Sequence, residues 1–280
     1  MSFPVSLMSR RFGVTRAGFY AWRKRRPSVR TARDAAMTER IREVFHEARG
    51  LYGSPRVTRE LGRRGVPVGR RRVARLMRRA QLQGRSARLY RRARVGQKTF
   101  YRAHPNMVRG VTTTGPDQLW VADVTYVRVA GRWWYLAVVM DRHSRRVLGW
   151  SLGRNRDASL TRRALAHAVR WRRPGPGITF HSDRGIEFSA FDLGTALSRR
   201  GFLQSMNRPR QMNDNAHMES FFHSLKTEWL FGMTFQTDSD LRAALLDDVC
   251  FYNRQRLHSS LGYVPPAVFE AQVPIHSGVN

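Results

Sequence analysis

LWVADVTYVRV, residues 119–129, reads as a β-strand rich in Val, Tyr and Thr, and the chain changes character where it begins. Asp123 lies inside it between Val121 and Val124. A charge in an apolar strand must be paired, liganded or at an open edge, because burying it alone is costly. Gly131-Arg132 marks a turn, WWYLAVVMD (133–141) a second strand and RVLGWSL (146–152) a third. Strands this close in sequence predict an antiparallel meander. A helix follows over about 158–171, with Leu160, Ala164, Leu165, Ala168 and Val169 on its apolar side. Beyond Pro174-Gly175-Pro176-Gly177 come a short strand, ITFHSD (178–183), a helix over about 191–200 and a brief strand at 202–206. The order βββαβα, completed by one more strand and helix, predicts an α/β fold with a mixed sheet covered by helices.

The last of those helices is NDNAHMESFFHSLKTEW, residues 213–229, with Asn213, Asp214 or Asn215 available to cap it. At about 100° per residue, Met218, Phe221, Phe222, Leu225 and Trp229 form one apolar arc. Glu219 falls at the edge of that arc, with His223 and Lys226 near it. Taken alone, Glu219 is a surface carboxylate paired loosely with Lys226. Two other acids change that reading. Asp123 is in the first strand, and Asp183 ends the fourth, directly before Arg184-Gly185, where the carboxyl edge of a sheet commonly opens onto a site. Glu219 follows Asp183 by 36 positions. Together the three supply what metal-dependent phosphoryl transfer requires: hard divalent cations prefer carboxylate oxygens, and a pair of ions can activate one oxygen and stabilise another. The sequence contains no G-x-S-x-G, P-loop or H-E-x-x-H pattern to compete with them.

The charge is uneven. Of 51 basic and 20 acidic residues, giving +31, the first hundred positions hold 28 and 5, a net of +23. Such a field fits a polyanion, and nucleic acid in preference to a membrane, since no apolar run approaches the ~20 residues of a spanning helix. The single cysteine, Cys250, excludes an intramolecular disulfide and a cysteine-based zinc site. Nothing at the start resembles a signal peptide, and the expectation is a soluble intracellular protein. SRRFGVTRAGFYAWRKRR (9–26) reads as a helix end, a turn at Gly13-Val14 and a helix capped by Thr15, with Phe19, Tyr20 and Trp22 on its apolar side. After Pro27-Ser28 a helix is expected over 38–48. GSPRVTRELGRRGVPVGRRRVARLMRRAQL (53–82) predicts helices over about 55–64 and 69–80, joined at Gly65-Val66-Pro67 with helix-turn-helix spacing. Val73, Leu76 and Met77 should face the core of the second. Arg70, Arg71, Arg72, Arg75, Arg78 and Arg79 should project outward and meet phosphates, giving affinity with steep salt dependence.

LWVADVTYV, HSDRG, DNAHMESFFHSLKTE and FYNRQRLHSSLGYVPPAVFE, in that order, resemble four blocks of the IS3 family of insertion-sequence transposases. FGVTRAGFYAW and YGSPRVTREL resemble its N-terminal part, so the resemblance spans nearly the whole chain. It is to the downstream reading-frame product, which shares its catalytic core with retroviral integrases. The resemblance implies a ribonuclease H-like core preceded by an all-α helix-turn-helix-like region. It also implies that Asp123, Asp183 and Glu219 bind two Mg²⁺ or Mn²⁺ ions, nicking at element ends and strand transfer by a DNA 3′-hydroxyl. Lys226 takes the position of the family's basic residue seven after the Glu. A homo-oligomer in the active complex and fusion to the upstream product are further expectations. A DNA-binding regulator without catalysis and a nuclease of the same fold are the alternatives.

The expected boundaries are a DNA-binding region at 1–82, a basic linker at 83–115, the core at 116–235 and a C-terminal helix and tail at 236–280. Where many relatives have Ser-Gln-Tyr after HSDRG, this chain has Ile186-Glu187-Phe188; Glu187 reads as a solvated turn residue in preference to an outer-shell ligand. Arg208 and Arg210, in a loop more basic than usual, and Arg184 are candidate DNA contacts. His181 shares the strand face of Asp183, to orient it or touch phosphate, though such a His is more often structural. Tyr252, Arg256 and His258 are read equally as base-contacting or as packing the domain end. Asp141 is an alternative acid without support from the blocks.

Overall fold

The computed structural model describes residues 4–24, 28–85, 104–209 and 211–272; most of the expected linker, Arg210 and the last eight residues lie outside them. The chain forms two compact units, Met1–Gly84 and Arg85–Asn280. Among the described residues no helix is long and apolar enough to cross a membrane.

The second unit is built on five strands: β1 (Leu119–Val129), β2 (Arg132–Asp141), β3 (Val147–Gly153), β4 (Thr179–Ser182) and β5 (Leu203–Met206), in the spatial order β3-β2-β1-β4-β5. The first three pair antiparallel, as the meander predicts, while β4 runs parallel to β1 and β5 parallel to β4. Ala130 and Gly131 close the β1–β2 hairpin at φ 45° and 78°, the left-handed pair that a two-residue turn between right-twisted strands requires.

Because side chains alternate across a strand, the sheet presents two buried faces. Val121, Val127 and Val129 of β1 join Leu136, Val138 and Met140 of β2 on one. It is covered by α9 (Ala216–Ser224) and α10 (Asp238–Arg254) through Met218, Phe221, Phe222, Leu225, Leu241, Leu245 and Tyr252. Trp120, Ala122, Ala137 and Val139 form the other. Leu160, Ala164, Leu165 and Ala168 of α6 (Ala158–Arg172) pack there with Phe188 of α7 (Ile186–Ser189) and Leu193 and Leu197 of α8 (Phe191–Ser198). Gly149 lets α6 approach β3 closely, since a Cβ would stand 2.4 Å from the Ala164 carbonyl oxygen. A short helix, α11 (Pro266–Ala271), ends the described chain, its Glu270 meeting Arg146 and Arg172.

The helix of Glu219 differs from its expectation in two ways. A 3₁₀ turn, Met212–Asn215, precedes α9, and the Asn215 side chain, in place of capping, donates from Nδ2 to the Ala122 carbonyl at 3.0 Å. After Ser224 the chain continues as a π-helix, Leu225–Leu230, whose wider turn departs from 100° per residue. Trp229 is consequently only partly buried.

In the first unit, α1 (Val5–Arg11) and α2 (Arg16–Lys24) are joined at Gly13 (φ 65°), and Thr15 Oγ1 accepts from the Gly18 amide. The apolar residues of α2 find no core: Trp22 is 67 % exposed. Helix α3 runs from Val29 to Glu47, beginning nine residues before the expected start. Ser28 caps it by accepting from the Thr31 amide, and its first half is polar enough to hide the helical period. Helices α4 (Ser54–Arg63) and α5 (Arg70–Arg79) follow the predicted helix-turn-helix closely, with Val57 and Leu61 packing beside buried Val73, Leu76 and Met77.

Candidate active site

Sheet register carries two acids to one place. The parallel pairing of β1 with β4 runs Leu119 to Thr179, Trp120 to Phe180 and Val121 to His181. Continued two residues, it sets Asp123 beside Asp183 at the open carboxyl end of β4. Asp123 belongs to the face that α9 covers, and its Oδ1 accepts from the Val124 amide at 2.7 Å. Burial first, and the charge of Asp183 second, push its carboxyl well above the usual carboxylate range. Asp183 Oδ1 accepts from the Gly185 amide at 2.9 Å, and burial among the strand ends raises this carboxyl too. Burial raises both carboxyls and the charge of Asp183 raises Asp123 further, so the two are a pair that could hold a cation. The donors are hard oxygens, suited to Mg²⁺ or Mn²⁺.

Glu219 lies on α9, half-buried, one turn beyond the Asn215 tie to the carbonyl that precedes Asp123. His217 adds a second anchor: its Nε2 accepts from Arg142 Nε at 3.2 Å, and burial first, then Arg145 and Arg142, hold its pKa down to about 4. The structure brings Asp123 and Asp183 together, but no three His, Cys, Asp or Glu side chains among the described residues gather closely enough to hold one ion. Glu219 thus stands on the right helix without joining the pair. The ammonium of Lys226 sits 4.1 Å from the Tyr126 ring centroid, a cation–π contact on the side of β1 toward the hairpin.

Glu187 is not solvated. It is 1 % exposed, and its Oε1 accepts from Arg156 Nε at 2.7 Å while Arg156 Nη2 lies 2.6 Å away. That same Nη2 stands 3.8 Å from Asp183 Oδ2. Residue type alone gave no reason to select Arg156; the residue that follows it, Asp157, N-caps α6, which fixes it at this edge of the sheet. The signal available was Glu187 itself, an acid needing a cation in an otherwise apolar turn.

His181 is fully buried and structural. Ser205 Oγ accepts from the Met107 amide and lies 2.9 Å from His181 Nδ1, and His181 Nε2 lies 2.8 Å from Asn207 Oδ1. An amide oxygen can only accept, so Nε2 carries the hydrogen and Nδ1 accepts from Ser205. Burial holds its pKa down to about 4. Both ring nitrogens are thus engaged by Ser205 and Asn207, and Asp183 is not among its partners. Arg184 donates to the Asn207 carbonyl at 2.6 Å, and Arg208 grips Asp214 through its amide, Nε and Nη2. Arg208 is therefore committed to closing its own loop, and Arg210 lies outside the described residues.

Burial speaks against the base-contacting reading for Tyr252 and Arg256. Tyr252 is buried against Phe221, edge to face at 5.0 Å, and burial pushes its phenol up to about 12. Arg256 is 3 % exposed and donates to both oxygens of Glu228, at 2.7 and 2.8 Å. His258 Nδ1 lies 3.0 Å from Ser260 Oγ, and its ring meets Tyr252 at 6.0 Å. His223 is exposed on α9. Asp141, fully buried, accepts from the amides of Ser144 and Asp117 and from the Ser144 hydroxyl; it closes the β2–β3 turn.

On α5, Arg70, Arg71, Arg78 and Arg79 are exposed, as expected. Arg72 and Arg75 are half-buried and both bind Asp34 of α3 at 2.8 Å, holding that carboxyl below its usual range. Their outward placement is thus corrected: they join α5 to α3.

The Integrase core domain family model matches residues 113–212, a second Integrase core domain model matches 200–266, and an HTH-like domain model matches 32–90. The chain is 36 % identical over 260 residues to the insertion element IS600 uncharacterized 31 kDa protein of Shigella sonnei, covering 92 % of this chain and 95 % of that one. To transposase InsF for insertion sequence IS3A of Escherichia coli it is 35 % identical over 278 residues, 96 % of this chain and 94 % of that one. Among solved structures, the simian T-cell lymphotropic virus intasome matches with a TM-score of 0.50 at 16 % identity, over 66 % of this chain and 63 % of that one, which concerns the fold alone. Through the two insertion-element relatives, matched at more than a third identity along nearly the whole chain, this ribonuclease H-like chain belongs to the IS3 family of insertion-sequence transposases.

Proposed function

We propose that the chain cuts DNA at the ends of its element and joins them to a target, with Asp123, Asp183 and Glu219 as the catalytic, metal-holding residues. The reading rests above all on the register that sets Asp123 beside Asp183 at an open sheet end. Two Mg²⁺ or Mn²⁺ ions held there would polarise the attacked phosphate and activate first water, then a DNA 3′-hydroxyl. Glu219 is the third ligand, carried by a helix whose start is tied to β1 by Asn215. Exposed Arg70, Arg71, Arg78 and Arg79 bind the phosphates of element-end DNA, and Lys226 and Arg184 are further DNA contacts. The active complex is a homo-oligomer, with the upstream reading-frame product as fusion partner.

The test is incubation of purified protein with Mg²⁺ and end-containing DNA beside Asp183→Asn and Glu219→Gln. Joined products from the parent, lost in both variants while DNA binding and thermal stability persist, support the assignment. Near-parental joining by Glu219→Gln removes Glu219 from the site. Cleavage without joining by the parent indicates a nuclease, and binding without either indicates a regulator.

A further inference from the structure

Asp183 and Glu187 flank Gly185, and one guanidinium, that of Arg156, serves both. Its Nε and Nη2 converge on Glu187 Oε1 at 2.7 and 2.6 Å, leaving Nη2 3.8 Å from Asp183 Oδ2, beyond hydrogen-bonding distance. Glu187 Oε2 is buried with no hydrogen-bond partner. The backbone passes close to this carboxylate: a Cβ on Gly185 would stand 2.6 Å from Glu187 Oε1 and 2.7 Å from Oε2 and would displace it from its present position. Asp183 Oδ1 is already occupied by the Gly185 amide, which makes Oδ2 the oxygen it has to offer.

An arginine beside a metal-binding carboxylate is a competitor for it. With Glu187 ionised, the guanidinium has a second anion that draws it 1.2 Å closer than Asp183 does. With that anion neutral, Asp183 becomes the strongest acceptor in reach, and a charge-assisted bond at normal length would cover Oδ2. We propose that Glu187 is a positioning residue: it detains Arg156 and so keeps Asp183 open to a divalent cation. The inference rests on Asp183 being a metal ligand.

Charge fixes the signs of the outcomes. Glu187→Gln removes one negative charge near the ion and frees Arg156 to close on Asp183, so both effects weaken metal binding. Arg156→Gln removes a positive charge and the competitor together, so it strengthens binding or leaves it unchanged. Unit charges a few ångströms apart in protein surroundings justify changes of about tenfold. Mn²⁺ binding to the full chain without DNA, followed by the paramagnetic resonance signal of the free ion, reads this independently of catalysis. We expect about tenfold weaker binding in Glu187→Gln, no weakening in Arg156→Gln, and recovery to within about threefold of the parent in the double variant. Thermal melts accompany each protein.

A double variant as weak as Glu187→Gln, or an Arg156→Gln protein weaker than the parent, overturns the proposal, because a purely structural pair would lose binding in both. Should Glu187→Gln fail to fold, the sign in Arg156→Gln and in the double variant decides. Asp183→Asn separates the two levels. If it binds Mn²⁺ like the parent, the metal-ligand reading fails. If it loses Mn²⁺ while Glu187→Gln binds normally, only the role of Glu187 fails.

Discussion

Arg256→Met separates a DNA contact from a structural ion pair. The guanidinium is buried at 3 % exposure, donates to both oxygens of Glu228 at 2.7 and 2.8 Å, and reaches Ser224 Oγ at 3.2 Å. Glu228 lies in the π-helix that extends α9, and Arg256 follows α10, so the pair ties together two helices that cover one face of the sheet. Methionine keeps much of the arginine stem volume but leaves the Glu228 carboxylate buried without its counter-charge. Breaking a buried pair in this way costs about 3–5 kcal/mol. At roughly 2–4 °C per kcal/mol for a unit of this size, the melting temperature should fall by about 10 °C. Replacing both partners by Met removes the stranded charge and should recover most of the loss. The assay is urea unfolding of the parent, both single variants and the double variant, with DNA binding of the folded proteins measured across a salt series. A phosphate contact would reduce the slope of log affinity against log salt by about one. Stability within about 1 kcal/mol of the parent together with such a reduced slope would refute the structural assignment.

Acid should weaken the fold through His181. Its folded pKa is about 4 against an ordinary 6.5, so the unfolded chain binds the extra proton first. The contribution is present above about pH 6.5 and declines by about 3 kcal/mol as pH falls towards 4, a decline that His181→Leu should lack in urea midpoints taken at both limits. Gly149→Ala would put a methyl 2.4 Å from the Ala164 carbonyl oxygen and 2.5 Å from the Ala168 amide nitrogen. Both are backbone atoms that cannot rotate away, so a loss of about 2 kcal/mol or more is expected in chemical denaturation. Neutralising Arg70, Arg71, Arg78 or Arg79 should lower the salt slope of DNA binding by about one each with little effect on melting. Arg75→Gln should instead lower the melting temperature of the first unit, because it removes a partner of buried Asp34.

The sheet was legible because β1 and β2 carry long apolar runs and the two later strands end at marked turns. Helices α4 and α5 were legible because Gly and Pro punctuate an apolar period at Val57, Leu61, Val73, Leu76 and Met77. What escaped depends on partners far away in sequence. No local pattern says that Arg72 and Arg75 answer to Asp34, that Arg256 answers to Glu228, or that Arg156 answers to Glu187. Arg72 and Arg75, in a basic stretch, read as phosphate ligands until the buried carboxylate opposite them is known. The π-helix defeated a different assumption: a fixed 100° rotation cannot anticipate a change of helical pitch at Leu225. Of the site, Asp123 and Asp183 were each legible as acids in or at the end of a strand. Their adjacency comes from the parallel pairing of β1 with β4, and the placement of Glu219 depends on tertiary ties that a helical wheel does not contain.

The loop between β5 and α9 is fastened at its base. Asp214 is held by Arg208 and by Asn106 Nδ2, and Asn215 is held by the Ala122 carbonyl. Arg208 and Asp214 therefore close the loop at its two ends, and this clasp sets the direction in which the chain enters α9. Lengthening such a loop carries only a slowly growing entropic cost, about 0.6 kcal/mol for each doubling. Insertions and sequence drift within it should therefore leave the placement of Glu219 unchanged, so the segment is free to vary in length while α9 keeps its tie to β1.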